Sequence, residues 1–142
     1  PFPPKGTTMA NALYAKGKEK ILSGSINLPS DTIKASLLSS SYTANLSTDE
    51  FWSTISANLL NSSQTLASKS VTAGVFDAAD VTFTAVTSGS TAKAIVIWKD
   101  TSTPSTSPLL AYIDTITGFP LATNGGDITI TWDNGSYKIF SL

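Results

Sequence analysis

Gly125–Leu142 reads GGDITITWDNGSYKIFSL, and this stretch decides the fold class. From Asp127 to Trp132 the residues alternate, with Ile128, Ile130 and Trp132 on one face and Thr129 and Thr131 on the other, the period of a half-buried strand. Asn134-Gly135 follows, the pair that best tolerates the two positive φ angles of a type I′ turn. The spacing therefore predicts a β-hairpin, with Tyr137–Phe140 folding straight back on Asp127–Trp132.

Working outward, the same signals recur. Thr32–Leu38 alternates Ile33, Ala35 and Leu37 against Thr32, Lys34 and Ser36 and predicts a strand after the Pro29-Ser30-Asp31 turn. Val71–Phe76 and Val81–Val86 predict two strands around Asp77-Ala78-Ala79-Asp80. Ala92–Lys99, AKAIVIWK, is the most apolar segment and the candidate for the centre of a sheet. Leu109–Thr115 is a further strand, Thr117-Gly118 turns it, and Phe119–Asn124 leads into the opening stretch. Asn58–Ser70 is Ser/Thr-rich and reads as weak strand or loop.

Two helices are predicted. Ala10–Ser23 is amphipathic, with Leu13, Tyr14 and Ile21 facing the body, Gly24 as C-cap and Gly17 a weakness of about 1 kcal/mol relative to Ala. Ser47-Thr48-Asp49-Glu50 fits a capping box with Leu46 and Phe51 as a hydrophobic staple, opening a helix over 48–55. Adjacent Asp49 and Glu50 do not face each other on a helix, and the cap accounts for both.

The expectation is a mainly β, single-domain antiparallel β-sandwich or barrel of about seven strands and two short helices. The predicted core includes Phe83, Ile95, Ile97, Ile128, Ile130 and Trp132. A chain of 142 residues buries roughly 70% of its unfolded surface, enough for one core without staples. Residues 9–142 form that domain. Pro1–Thr8, PFPPKGTT, cannot be helix or central strand. It is read either as an extended arm lying on a neighbouring subunit or as a non-native extension ahead of Met9.

Composition narrows the chemistry. Hydrophobic residues make up 41% and charged residues 13%, and the nine basic residues are all lysines against ten carboxylates, for a net charge of −1. Lacking arginine and a basic stripe, the chain is not read as a nucleic-acid binder. Lacking His and Cys, it offers no Ser-His-Asp triad, Cys-His pair or disulfide, and the reading is not an enzyme, with no catalytic, cofactor-binding or metal residues. Asp77 and Asp80 can be read as calcium ligands, but no EF-hand spacing accompanies them, and turn residues are the preferred reading. Asp127 and Asp133, the other carboxylate pair, flank one strand and are also read as turn residues. Trp52, Trp98, Trp132 and Tyr137 can be imagined as a sugar-binding platform, although Trp132 shares the apolar face of Ile128 and Ile130. No apolar run approaches the ~18 residues of a membrane span, and no segment has the pattern of a signal peptide. A soluble protein without secretion signal is expected.

Several motifs carry a resemblance: MANALY at 9–14, DTIKASL at 31–37, TAGVFDAADVTFTAV at 72–86, IVIWKD at 95–100, SPLLAYIDTITGFP at 107–120, GGDITITWDNG at 125–135 and KIF at 138–140. Over nearly everything after residue 8 the chain resembles a family of small tailed-bacteriophage virion proteins, with residues 45–70 departing most. These motifs are strands and turns, so the resemblance implies a shared fold and no active site. It implies a structural role in the virion: a capsid decoration or cement protein that binds neighbouring subunits. Expected partners are the major capsid protein and further copies of the chain in a homo-oligomer. The alternative is a tail or adhesion component, with carbohydrate binding as one variant.

Overall fold

The central strand of the molecule is the most apolar one, Thr91–Lys99. The structure, a computed structural model, describes residues 11–136 and 138–142; the Pro1–Thr8 segment and Tyr137 lie outside the described residues. Eleven strands are present among them: β1 Asn11–Leu13, β2 Ile33–Ser39, β3 Leu59–Thr65, β4 Ser70–Thr72, β5 Val75–Asp77, β6 Val81–Phe83, β7 Thr91–Lys99, β8 Leu109–Ile113, β9 Leu121–Ala122, β10 Ile128–Ile130 and β11 Phe140–Ser141. Two short helices, α1 Ala15–Leu22 and α2 Trp52–Ile55, complete the regular structure with two single turns of 3₁₀ helix. The molecule is mainly β and antiparallel, consistent with a single-domain sandwich and not a closed barrel. No helix among the described residues is long and apolar enough to cross a membrane.

The main sheet runs β1-β8-β7-β2-β3, with β9 pairing the start of β7. Its two faces bury different clusters. Ile33, Ala35 and Leu37 of β2, Ile95 and Ile97 of β7 and Ala111 and Ile113 of β8 face the sandwich interior, where they meet Phe76, Phe83, Ile128, Ile130 and Phe140. Those partners come from two small sheets, β10-β6 and β11-β5-β4. On the opposite face Leu38, Ala94, Val96, Trp98, Leu109 and Tyr112 pack with Tyr14, Tyr42, Trp52 and Ile55. This is why β7 reads as a continuous apolar run: both its faces are covered. All six predicted core residues are buried.

Ser36 lies opposite Ile33, Ala35 and Leu37, as the alternation read for β2 places it, and it is fully buried because that second face is covered as well. Its hydroxyl accepts the Trp98 indole N–H at 2.7 Å and shares a 2.6 Å hydrogen bond with Ser63, so the polar group is satisfied inside the second cluster. Trp98 in turn stacks on Trp52 with ring centroids 4.5 Å apart.

The hairpin predicted at Asn134-Gly135 does not form. Ile128–Ile130 pairs with Phe83–Val81, and Phe140-Ser141 pairs with Phe76-Val75, so the two halves of the stretch belong to different sheets. The ladder ends at Ile130, and two residues on, Trp132 is held by its backbone N–H donating to Asp80 Oδ1 and its indole N–H donating to the Ala79 carbonyl. Asp133 Oδ1 then accepts the Gly135 N–H, and Gly135 keeps an ordinary negative-φ backbone. The local Asn-Gly turn preference is outweighed by burial of Ile139 and Phe140 in the core, each worth about 1.5–3 kcal/mol. The tight turn of this kind sits elsewhere. Ala73 and Gly74 have φ of 53° and 78° and join β4 to β5 with Thr72 opposite Val75, so the predicted single strand Val71–Phe76 is itself a hairpin.

The helices are also corrected. Asn11–Leu13 is an edge strand on β8, and α1 begins only at Ala15. Its C-terminus is the predicted one: Gly24, at φ 85°, donates to Ile21 O while Ser25 donates to Lys20 O, a Schellman closure. At the second site Asn45, not Ser47, caps. Asn45 Oδ1 accepts from the amides of Ser47 and Thr48, and Asp49 Oδ2 accepts from the Asn45 amide, closing a turn in place of a first helical turn. Glu50 reaches out to Lys20 at 2.7 Å instead of back to the cap, and α2 starts at Trp52.

Candidate functional site

Exposed apolar side chains gather around one groove. It has a volume of about 350 Å³ and is floored by Phe76 and Phe140, with walls from Ile21, Ile26 and Leu28 and a rim carrying Val71 and Leu142. The parts arrive from four segments: the end of α1, the loop that follows it, the β4-β5 hairpin and the C-terminal strand. Each is placed by a feature already described. The Schellman turn at Gly24 redirects the chain so that Ile26 and Leu28 fall beside the small sheet. The Ala73-Gly74 turn folds β4 back to the sheet margin, and the Leu142 amide donates to Gly74 O, pinning the C-terminus to that turn. Val71 and Leu142 are two of the four large apolar residues that are exposed among the described residues, at 46% and 57%. Leu22, at 82%, lies in the chain between two lining residues, Ile21 and Gly24.

Beside the groove runs an edge strand. β4 ends the order β11-β5-β4, and Ser70, Val71 and Thr72 are all exposed. Its outer backbone groups are therefore available to a further strand. Lining and rim contain no charged side chain, so the surface is suited to apolar and main-chain contact.

The buried tyrosines form a hydrogen-bonded chain that ends on a carboxylate. Tyr14 and Tyr42 share a 2.8 Å hydrogen bond between their hydroxyls, and Tyr42 donates to Asp49 Oδ2 at 2.7 Å, so Tyr14 is the donor to Tyr42. Burial, reinforced by Tyr42, holds the Tyr14 phenol well above its ordinary range; burial and the Asp49 carboxylate do the same for Tyr42. Burial, then the Asp114 carboxylate, pushes Tyr112 up to about 12. Phenols so raised stay protonated donors at neutral pH and are poor nucleophiles.

Three of the four carboxylates singled out as candidate ligand or acid pairs act as turn and strand-end acceptors. Asp80 holds the Trp132 amide, Asp127 Oδ1 accepts the Ala85 N–H at 2.8 Å, and Asp133 holds the Gly135 amide. Asp77 ends β5 opposite Ser70. No group of three or more potential metal-ligating side chains occurs among the described residues. Trp52, Trp98 and Trp132 are each at most 6% exposed and form core rather than platform. A second, more polar hollow of about 610 Å³ lies between Thr115–Thr117 and Thr129–Asp133 beside Asn11.

The groove itself was not read from the sequence, because its lining is assembled from distant segments; the one available signal was Val71 on a strand ending at a glycine turn. No protein-family model matches the chain, and no curated protein matches it.

Proposed function

We propose that this chain is a structural protein of a tailed-bacteriophage virion, a capsid decoration or cement protein that stabilises the shell by bridging neighbouring subunits. The observation that carries the reading is the apolar groove, free of charged side chains, beside the exposed edge strand β4. Apolar surface left exposed in one chain is what a partner covers. The resemblance of the strand and turn motifs to small phage virion proteins points to the same role.

The partner of this surface is an extended segment of the major capsid protein, adding a strand to β4 and seating an apolar side chain over Phe76 and Phe140. Three residues of edge pairing make a modest contact. Many symmetry-related copies on one shell, with the chain itself in a homo-oligomer, convert such contacts into strong retention.

Copy number in purified virions, measured by quantitative mass spectrometry against the major capsid protein, tests the role. Copies on the order of hundreds are expected of decoration. A few per particle transfer the assignment to a tail or adhesion component, and absence from virions overturns the structural role. Val71→Lys, an exposed change that shifts folding stability by no more than about 0.5 kcal/mol, is expected to reduce incorporation sharply. Undiminished incorporation places the contact elsewhere.

A further inference from the structure

Two Asn-Gly pairs lie near the C-terminus, Asn124-Gly125 and Asn134-Gly135. At such a pair the glycine backbone nitrogen can attack the asparagine Cγ with no side chain obstructing it. The fold treats the two pairs differently.

At Asn124 both reacting groups are held. The Gly125 amide donates to the Val86 carbonyl at 2.9 Å, and the Val86 amide donates to Gly126 O at 3.0 Å, lacing the segment to the chain beyond β6. Asn124 Oδ1 accepts the Gly126 N–H at 2.9 Å, which fixes the side chain. Ring closure there requires these contacts to open together. At Asn134 the restraint on the nucleophile among the described residues is local: the Gly135 amide donates to Asp133 Oδ1 at 3.0 Å, a side chain two residues back that can rotate away without disturbing any strand. Asp133, Asn134 and Gly135 are all exposed in the bend between β10 and β11.

We infer that Asn134 is a modification site, deamidating spontaneously in the folded protein while Asn124 stays intact. The Gly135 nitrogen bonds to Asn134 Cγ as its proton is lost, and the Cγ–Nδ2 bond breaks to release ammonia and leave a succinimide. Solvent water then opens the ring. Attack at Cγ gives aspartate; attack at the main-chain carbonyl gives isoaspartate, which inserts one extra atom into the backbone. Either product changes the net charge from −1 to −2, since −1 − 1 = −2. The isoaspartate lengthens the link that carries Phe140 and Leu142 to the apolar groove.

The test follows both asparagines by peptide mapping with separation of aspartate and isoaspartate, after incubating the full chain in mildly alkaline buffer, folded and in urea. In the folded protein Asn134 is expected to convert at least roughly tenfold faster than Asn124, the protection that the hydrogen bonds at Gly125 and Asn124 provide. In urea the two rates should converge, and Asn134→Gln should abolish the folded-state conversion. Equal rates in the folded protein, a ratio unchanged by urea, or an Asn134 that converts only when unfolded would each overturn the assignment.

Discussion

Gly17 shows how a single position reverses its meaning once packing is known. In an isolated helix it is a defect, and Ala would add about 1 kcal/mol. Here it is buried where α1 crosses β8, and a Cβ would sit 2.4 Å from the Leu109 carbonyl oxygen and 3.1 Å from Leu110 Cα. Backbone atoms cannot rotate aside, so overpacking of roughly 1–3 kcal/mol exceeds the propensity gain. Gly17→Ala is expected to lower the denaturant midpoint, and a raised midpoint would refute the close approach. The tyrosines differ in a similarly checkable way. Tyr14→Phe removes one donor and should cost about 0.5–1.5 kcal/mol. Tyr42→Phe strands the buried Tyr14 hydroxyl and takes a donor from Asp49, so its cost should be the larger, about 2–4 kcal/mol when both lost contacts are counted. Equal losses in chemical denaturation would contradict the direction of donation. Neither effect was legible beforehand, because both depend on which residues distant in sequence come to face one another.

At the scale of elements, strands and turns were legible where the signal was periodic and misread where pairing was decided elsewhere. Ala92–Lys99, Leu109–Thr115 and Thr32–Leu38 each became a strand of the main sheet within a few residues. Asn134-Gly135 looked like the best turn because its residues suit positive φ, yet Asp133 closes that bend through its side chain and the strands on either side find other partners. Ala73-Gly74 looked ordinary because alanine is a poor left-handed residue, and it holds the tight turn at a local cost of about 1–2 kcal/mol for Ala73. The two sites therefore make a paired prediction. Gly74→Ala should destabilise by about 1 kcal/mol or more, because φ of 78° is strained for any side chain. At Gly135 the nearest atoms to an added Cβ are those of the movable Asp133 carboxylate, so Gly135→Ala should stay within about 0.5 kcal/mol. Thermal melts of the two variants decide which glycine holds the turn.

For the whole molecule, the two-sided burial of the main sheet joins its centre to a charged margin. Where β2 begins and β7 ends, Lys34 Nζ lies 2.9 Å from Asp100 and Lys99 Nζ 3.1 Å from Asp31. The Lys34 ammonium and the Ser102 N–H hold the Asp100 carboxyl below its usual range. Asp31 is also held low: partial burial opposes this, but the Asn27 N–H and Lys99 prevail. A carboxyl depressed in the folded state stabilises above its unfolded pKa of about 3.9, and that stability is lost as pH falls through the folded value. Asp114 acts in the opposite sense, because burial raises it and its protonation favours the fold. The pairs are partly exposed, with side chains 22–26% accessible, so each contributes no more than about 1 kcal/mol. The melting temperature should therefore be nearly flat above about pH 5 and decline from about pH 4 downward. Asp100→Asn should lower the neutral melting temperature slightly and flatten part of that decline, whereas Asp114→Asn should steepen it by removing the opposing titration. A decline in which Asp100→Asn melts in parallel with the parent protein at every pH would show that this pair does not contribute to acid sensitivity.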